Sequence, residues 1–119
     1  MIGCIVLSEK NILIIKKKDK DYWELPGAVL KEDEDMELAA KKSVYELTGL
    51  KVDIIQQFNE SQSYYNDTEF LSHLFEASVL KGSLKPHEEI EKMDFFPVEE
   101  LNKLKLSNVL YSVYQELTK

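Results

Sequence analysis

Apolar positions fall in short, dense runs separated by charged or turn-forming residues. Ile2–Leu7 and Asn11–Ile15 are β-rich and are joined by the polar Ser8-Glu9-Lys10, a pattern that predicts a hairpin. Lys16–Asp21 is a charged turn, and Tyr22-Trp23-Glu24-Leu25 reads as a third strand stopped by Pro26-Gly27. Downstream, the spacing changes from strand-like to helical. Met36, Ala40, Val44 and Leu47 share one helical face, and Gly49 supplies the stop. Val52–Ile55, Phe70–Leu80 and Met93–Phe96 follow as strands, the last closed by Pro97. Val98–Leu104 is then a short helix. Ser107 caps a final helix whose apolar stripe is Val109, Leu110, Val113, Tyr114 and Leu117. Strands, a helix, more strands and two C-terminal helices predict an α/β (α+β) fold, with a mixed sheet covered by helices.

The chain has 119 residues, which suits one domain over 1–119 with a core of its own. Its longest apolar run is far too short for a membrane span and lacks the basic flank of a secretory signal. The single cysteine, Cys4, permits no internal disulfide, so the expected compartment is cytoplasmic. Asn66-Asp67-Thr68 matches a glycosylation acceptor but reads as a polar loop in that setting.

The formal net charge of −7 argues against a nucleic-acid polymer or an anionic membrane as partner. All 15 basic residues are Lys, so forked recognition of phosphate by Arg is excluded, while point-charge contacts remain. Lys16, Lys17 and Lys18 are candidates for a cationic rim or a solvated turn. Tyr64, Tyr65, Trp23 and Phe70 could stack on a base or lie in the core. Neither His73 nor His87 has a second His or a Cys at zinc-ligand spacing, so a zinc site is not expected.

The most informative stretch is Trp23-Glu24-Leu25-Pro26-Gly27 through Gly49-Leu50. It combines a strand, a tight turn, the acidic run Glu32, Asp33, Glu34, Asp35 and Glu37, a helix and a glycine stop. By itself that acidic run suits the positive end of a helix. In this order, the stretch resembles the Nudix (MutT-like) hydrolase family. The family's signature is a glycine, an acid six residues on, then Arg-Glu-apolar-any-Glu-Glu-any-Gly. The opening hairpin and Glu88-Glu89-Ile90-Glu91 before Phe95-Phe96-Pro97 also sit where the family has them. The resemblance implies a Nudix-like α/β/α sandwich and hydrolysis of a nucleoside diphosphate linked to another moiety, with Mg²⁺ or Mn²⁺.

Anchoring the signature on Gly49 places Lys42 on its Arg, and Ser43, Glu46 and Leu47 on its three helix acids. Glu34 takes the early acid and Ala28 the first glycine, tolerable if the backbone there has φ < 0. Carboxylates at i, i+3 and i+4 converge on a divalent cation from one helix face. The box is therefore degraded, with one carboxylate of three retained. Glu46 and Glu89 are the catalytic candidates, and Glu46, Glu34 and Glu89 the metal-ligand candidates. Glu46 can instead pair with Lys42, Glu34 with Lys42 as a brace, and Glu89 can be solvated surface. Two readings follow: a weak hydrolase, or a non-catalytic Nudix-fold module, with no metal needed, that binds a nucleotide-like small molecule or a protein partner. A homodimer with Tyr111 and Tyr114 as anchors is a further expectation. The polar segments Asn59–Thr68 and Lys81–Glu88 are the loops expected to shape specificity.

Overall fold

The computed structural model describes residues 1–65 and 68–119, with side-chain detail outside residues 59–72. Strands β1 (Ile2–Ser8) and β2 (Asn11–Lys17) form the expected antiparallel hairpin. Its turn is made possible by Glu9, which takes a left-handed φ of 57°. Next comes β3, only Gly27–Ala28, followed by helix α1 (Met36–Thr48). Two long strands follow, β4 (Leu50–Tyr65) and β5 (Thr68–Gly82), then β6 (Ile90–Pro97). A 3-10 helix, Val98–Lys103, and helix α2 (Asn108–Leu117) complete the chain.

The sheet order is β4-β5-β1-β2-β6, with β3 paired to β1. β1 runs parallel to β5, while the other pairs are antiparallel, so the sheet is mixed. Alternation along the central strands buries both faces. Ile2, Cys4 and Val6 join Ala39, Ala40 and Val44 of α1 on one side. On the other, Ile5, Ile12 and Ile14 meet Leu101 of the 3-10 helix and Leu110 and Val113 of α2. The expected α/β/α layering follows directly from this period of two.

Both helices begin as their sequences predict. Asp35 accepts a hydrogen bond from the Leu38 amide at 2.9 Å, so part of the acidic run serves as helix entry. Ser107 caps α2 through the Leu110 amide at 3.2 Å. Gly49 ends α1 with φ 83°, the left-handed stop expected of it.

Two expectations about strands are corrected. Tyr22–Leu25 is not a full strand; only the isolated bridges Ile15–Glu24 and Trp23–Leu106 form there. The third strand lies at Gly27–Ala28, within the presumed stop. Gly27 permits it because its backbone lies against β1, where an added Cβ would sit 2.2 Å from the Ile2 carbonyl oxygen. The supposed loop from Asn59 to Thr68 is also mostly strand, since β4 continues to Tyr65 and β5 starts at Thr68. The expectations for the Tyr64, Tyr65 and Phe70 side chains, and for Asn66-Asp67, lie outside the described residues. No described helix is long and apolar enough to cross a membrane.

Candidate functional site

The helix face from which the three box acids would project is largely dry. Ser43 is buried, and its hydroxyl donates to the Ala40 carbonyl at 2.8 Å, a bond closed within α1. Leu47 is also buried and packs with Ile15 and Ile90, with Met93 against them. Glu46 alone points to solvent and lies 3.9 Å from Lys42 across one helical turn. The i, i+4 pair weighed for Glu46 is thus present.

The other acids stand apart. Glu34 turns to its own loop, where its carboxylate accepts from the Lys31 amide at 3.3 Å. The expected Glu34–Lys42 brace is therefore replaced by two local contacts, Glu34 with Lys31 and Lys42 with Glu46. The physical reason is proximity: each partner is three or four residues away, so it closes with less loss of chain freedom. Glu89 is fixed through its backbone, its carbonyl accepting from the Lys18 amide at 2.9 Å and its own amide donating to His87 Nδ1 at 3.2 Å. Its half-exposed carboxylate lies 4.0 Å from that imidazole. Among the described residues, no three His, Cys, Asp or Glu side chains gather as a metal cluster would require. Glu34, Glu46 and Glu89 are not brought together.

A cleft of about 400 Å³ opens elsewhere, between β3 and the start of α2. Gly3, Leu25, Leu74 and Val109 give it an apolar floor, while Lys17, Lys20, Tyr22, Glu24 and Asn108 line its polar parts. Its position is set by the backbone: Trp23 N donates to Lys105 O at 2.9 Å, and Ser107 N donates to Trp23 O at 2.8 Å. These bonds dock the N-terminus of α2 against the cleft, where its free amides favour an anion. Lys17 adds charge but is shared with Glu24 at 3.4 Å. Apolar floor, aromatic edge, amide side chain and cations are the components that bind a base carrying phosphates.

The three lysines weighed as a cationic rim or a solvated turn are divided. Lys17 lines the cleft, Lys16 pairs with Glu91, and the Lys18 amide holds Glu89. The Lys16 ammonium holds the Glu91 carboxyl below its ordinary range. Trp23 packs into the core cluster of α2 and does not line the cleft. Lys20, Tyr22 and Asn108 were not singled out by the sequence. Only their long-range placement reveals them, because residues near 20 and 108 meet through the Trp23 bonds. Ala28 is absent from the positive-φ residues, which meets the condition set for replacing glycine there.

The family model of the NUDIX domain matches residues 1–117. The chain belongs to the Nudix family. It is 38% identical over 52 residues to a MutT-like protein of Streptomyces ambofaciens, covering 44% of this chain and 34% of that one. It is 34% identical over 79 residues to a Bacillus subtilis (strain 168) protein provisionally named an 8-oxo-dGTP diphosphatase, covering 66% of this chain and 52% of that one. The alignments thus span about a third and a half of these relatives' lengths. A MutT NUDIX hydrolase from Burkholderia pseudomallei superposes with TM-score 0.86 at 19% identity, over 96% of this chain and 93% of that one. A UDP-X diphosphatase structure gives TM-score 0.80 at 20% identity, over 97% and 62%. At these identities the structures establish the Nudix fold.

Proposed function

We propose that this Nudix protein binds a nucleotide-like diphosphate in the cleft between β3 and α2, and that metal-dependent hydrolysis at its box helix is weak or absent. The observation that carries this reading is the burial of Ser43 and Leu47, the two box positions without a carboxylate. A leucine packed on Ile15 and Ile90 offers no oxygen and excludes the water a bound Mg²⁺ retains. Losing two of three anionic ligands removes several kcal/mol of attraction per contact at an effective dielectric near ~20, so affinity falls by orders of magnitude. The apolar floor and basic edge of the cleft do not depend on those carboxylates.

Kinship with MutT-like and diphosphatase-named relatives favours a second reading, a slow hydrolase. In it, Glu46 and Glu89, with Glu34, supply the remaining carboxylates toward Mg²⁺ or Mn²⁺ after rearrangement. Such a cation would neutralise the diphosphate and activate a water.

Calorimetric titration of Mg²⁺ and Mn²⁺, with and without a non-hydrolysable nucleoside diphosphate, separates the readings. The first expects nucleotide binding that needs no metal and weakens in Asn108→Ala and Lys20→Gln. Sub-millimolar metal binding that vanishes in Glu46→Gln would overturn it in favour of the hydrolase. Absence of nucleotide binding in either condition would overturn the cleft assignment itself.

A further inference from the structure

A second concave site lies away from the cleft, between the C-terminal end of α1 and the adjoining ends of β4 and β5. It is a depression of about 260 Å³ lined by Tyr45, Lys51, Lys81, Ser83 and Lys85, with no acidic residue in its wall. We propose that it binds a small oligophosphate anion such as pyrophosphate.

The register supplies the first argument. Lys51 and Lys81 are directly opposed across the antiparallel β4–β5 pair. Like charges in that relation repel and weaken a sheet. Lys85 also lines the same depression. The strand ends that carry Lys51 and Lys81 meet the end of α1 in a tight backbone contact: a Cβ on Gly82 would lie 2.6 Å from the Gly49 carbonyl oxygen. One lysine is also fixed in place, with the Lys51 ammonium 5.6 Å from the centre of the Tyr45 ring.

None of the three lysines takes part in an ion pair among the described residues. Asp53, two positions from Lys51 along β4, is engaged by Lys41 at 3.9 Å. The end of α1 is another source of negative charge, but three of its carbonyls already have donors. Thr48 O accepts from Lys85 N at 2.7 Å, Leu47 O from His87 N at 3.1 Å, and Tyr45 O from Gly49 N at 2.9 Å. Three lysines without an ion pair among the described residues thus border one depression in a chain of net charge −7. A multiply charged phosphate relieves the Lys51–Lys81 repulsion and finds a hydroxyl donor in Ser83. Lysine suits this as a point-charge ligand that needs no forked geometry.

The test is calorimetric titration of sodium pyrophosphate into the full chain, with EDTA and at constant ionic strength. Saturable binding is expected, weakened at least tenfold in Lys51→Gln/Lys81→Gln and less strongly in Lys85→Gln. The Lys17→Gln/Lys20→Gln variant, altered only at the cleft, should retain saturable pyrophosphate binding at the depression. The Lys51→Gln/Lys81→Gln variant is also expected to melt no lower than wild type without ligand, since it loses a repulsion. Absence of saturable binding, binding unchanged in Lys51→Gln/Lys81→Gln, or loss confined to Lys17→Gln/Lys20→Gln would each overturn the proposal. The last outcome would place pyrophosphate in the cleft.

Discussion

The carbonyl of Leu47 accepts a hydrogen bond from the amide of His87 at 3.1 Å. This bond ties the end of α1 to the acidic stretch before β6, so Glu89 is tethered near the box helix. The same residue whose backbone makes that tie has a side chain packed on Ile15 and Ile90. The Nudix scaffold is thus kept, while the position that would carry a carboxylate has joined the core.

Leu47→Glu should therefore destabilise the protein before it restores any chemistry. A carboxylate placed among Ile15, Ile90 and Met93 has no buried partner there, and the loss should exceed about 2 kcal/mol. Urea unfolding in EDTA checks this. In Ser43→Glu/Leu47→Glu, added Mg²⁺ should recover part of the loss, because binding to the native state alone stabilises it. No recovery would mean that the surrounding pocket has changed as well as the ligands.

Gly27→Ala should be severe although it adds one methyl group. Its Cβ would meet the Ile2 carbonyl oxygen at 2.2 Å and Gly3 Cα at 2.9 Å, both backbone atoms that cannot turn aside. The β1–β3 pair must open, and with it the wall that Gly27 and Ala28 give to the cleft proposed to bind nucleotide. We expect a loss of more than about 2 kcal/mol, judged against overpacking elsewhere, together with weaker nucleotide binding. Ala28→Gly serves as the control, with a far smaller effect on thermal unfolding and on nucleotide titration.

How far the fold was legible follows from the same residues. Ile2–Leu7, Asn11–Ile15, the α1 stripe and the Ser107 cap announce themselves because local periodicity and burial coincide. β4 beyond Ile55 does not, since Asn-Glu-Ser-Gln-Ser carries no apolar alternation and its strand character comes from pairing with β5. The short β3 was missed because its signal is an absent Cβ, visible only once Ile2 is placed against it. The proposed degradation of the box rests on the sequence itself, through the positions of Ser43 and Leu47 relative to Gly49. The cleft could not, because Lys20, Tyr22 and Asn108 converge through backbone bonds at Trp23. Nor could the pairing of Lys51 with Lys81, which depends on bulges that shift the β4–β5 register.

Asp35→Ala isolates the structural role of the acidic run. Removing the acceptor for the Leu38 amide should cost about 1 kcal/mol and lower the melting temperature by roughly 4 °C. Glu32→Ala, away from the capping position, should change neither. Nucleotide binding should survive in both variants, since neither residue lines the cleft. A matching loss in Glu32→Ala would point instead to the charge of the whole run.

Cys4 offers a readout of the core between β1 and α1. Its side chain is buried, and burial pushes the thiol up to about 12. In the unfolded chain it titrates near an ordinary value of about 8.5. Because the folded pKa is the higher one, its contribution is fully present below the unfolded pKa. Stability is then lost as pH rises from there toward the folded value, over which range the unfolded chain alone gives up the proton. Relative to Cys4→Ala, wild type should therefore lose stability between pH 8 and pH 10.5, by about 2.5 kcal/mol. Urea unfolding of both proteins at the two pH values measures that difference, since the lysines and tyrosines common to both cancel. Native Cys4 should also resist thiol reagents at pH 8, reacting only as fast as the sheet opens. Rapid labelling of the folded protein, or a pH dependence equal in the two proteins, would show that β1 is accessible beneath α1.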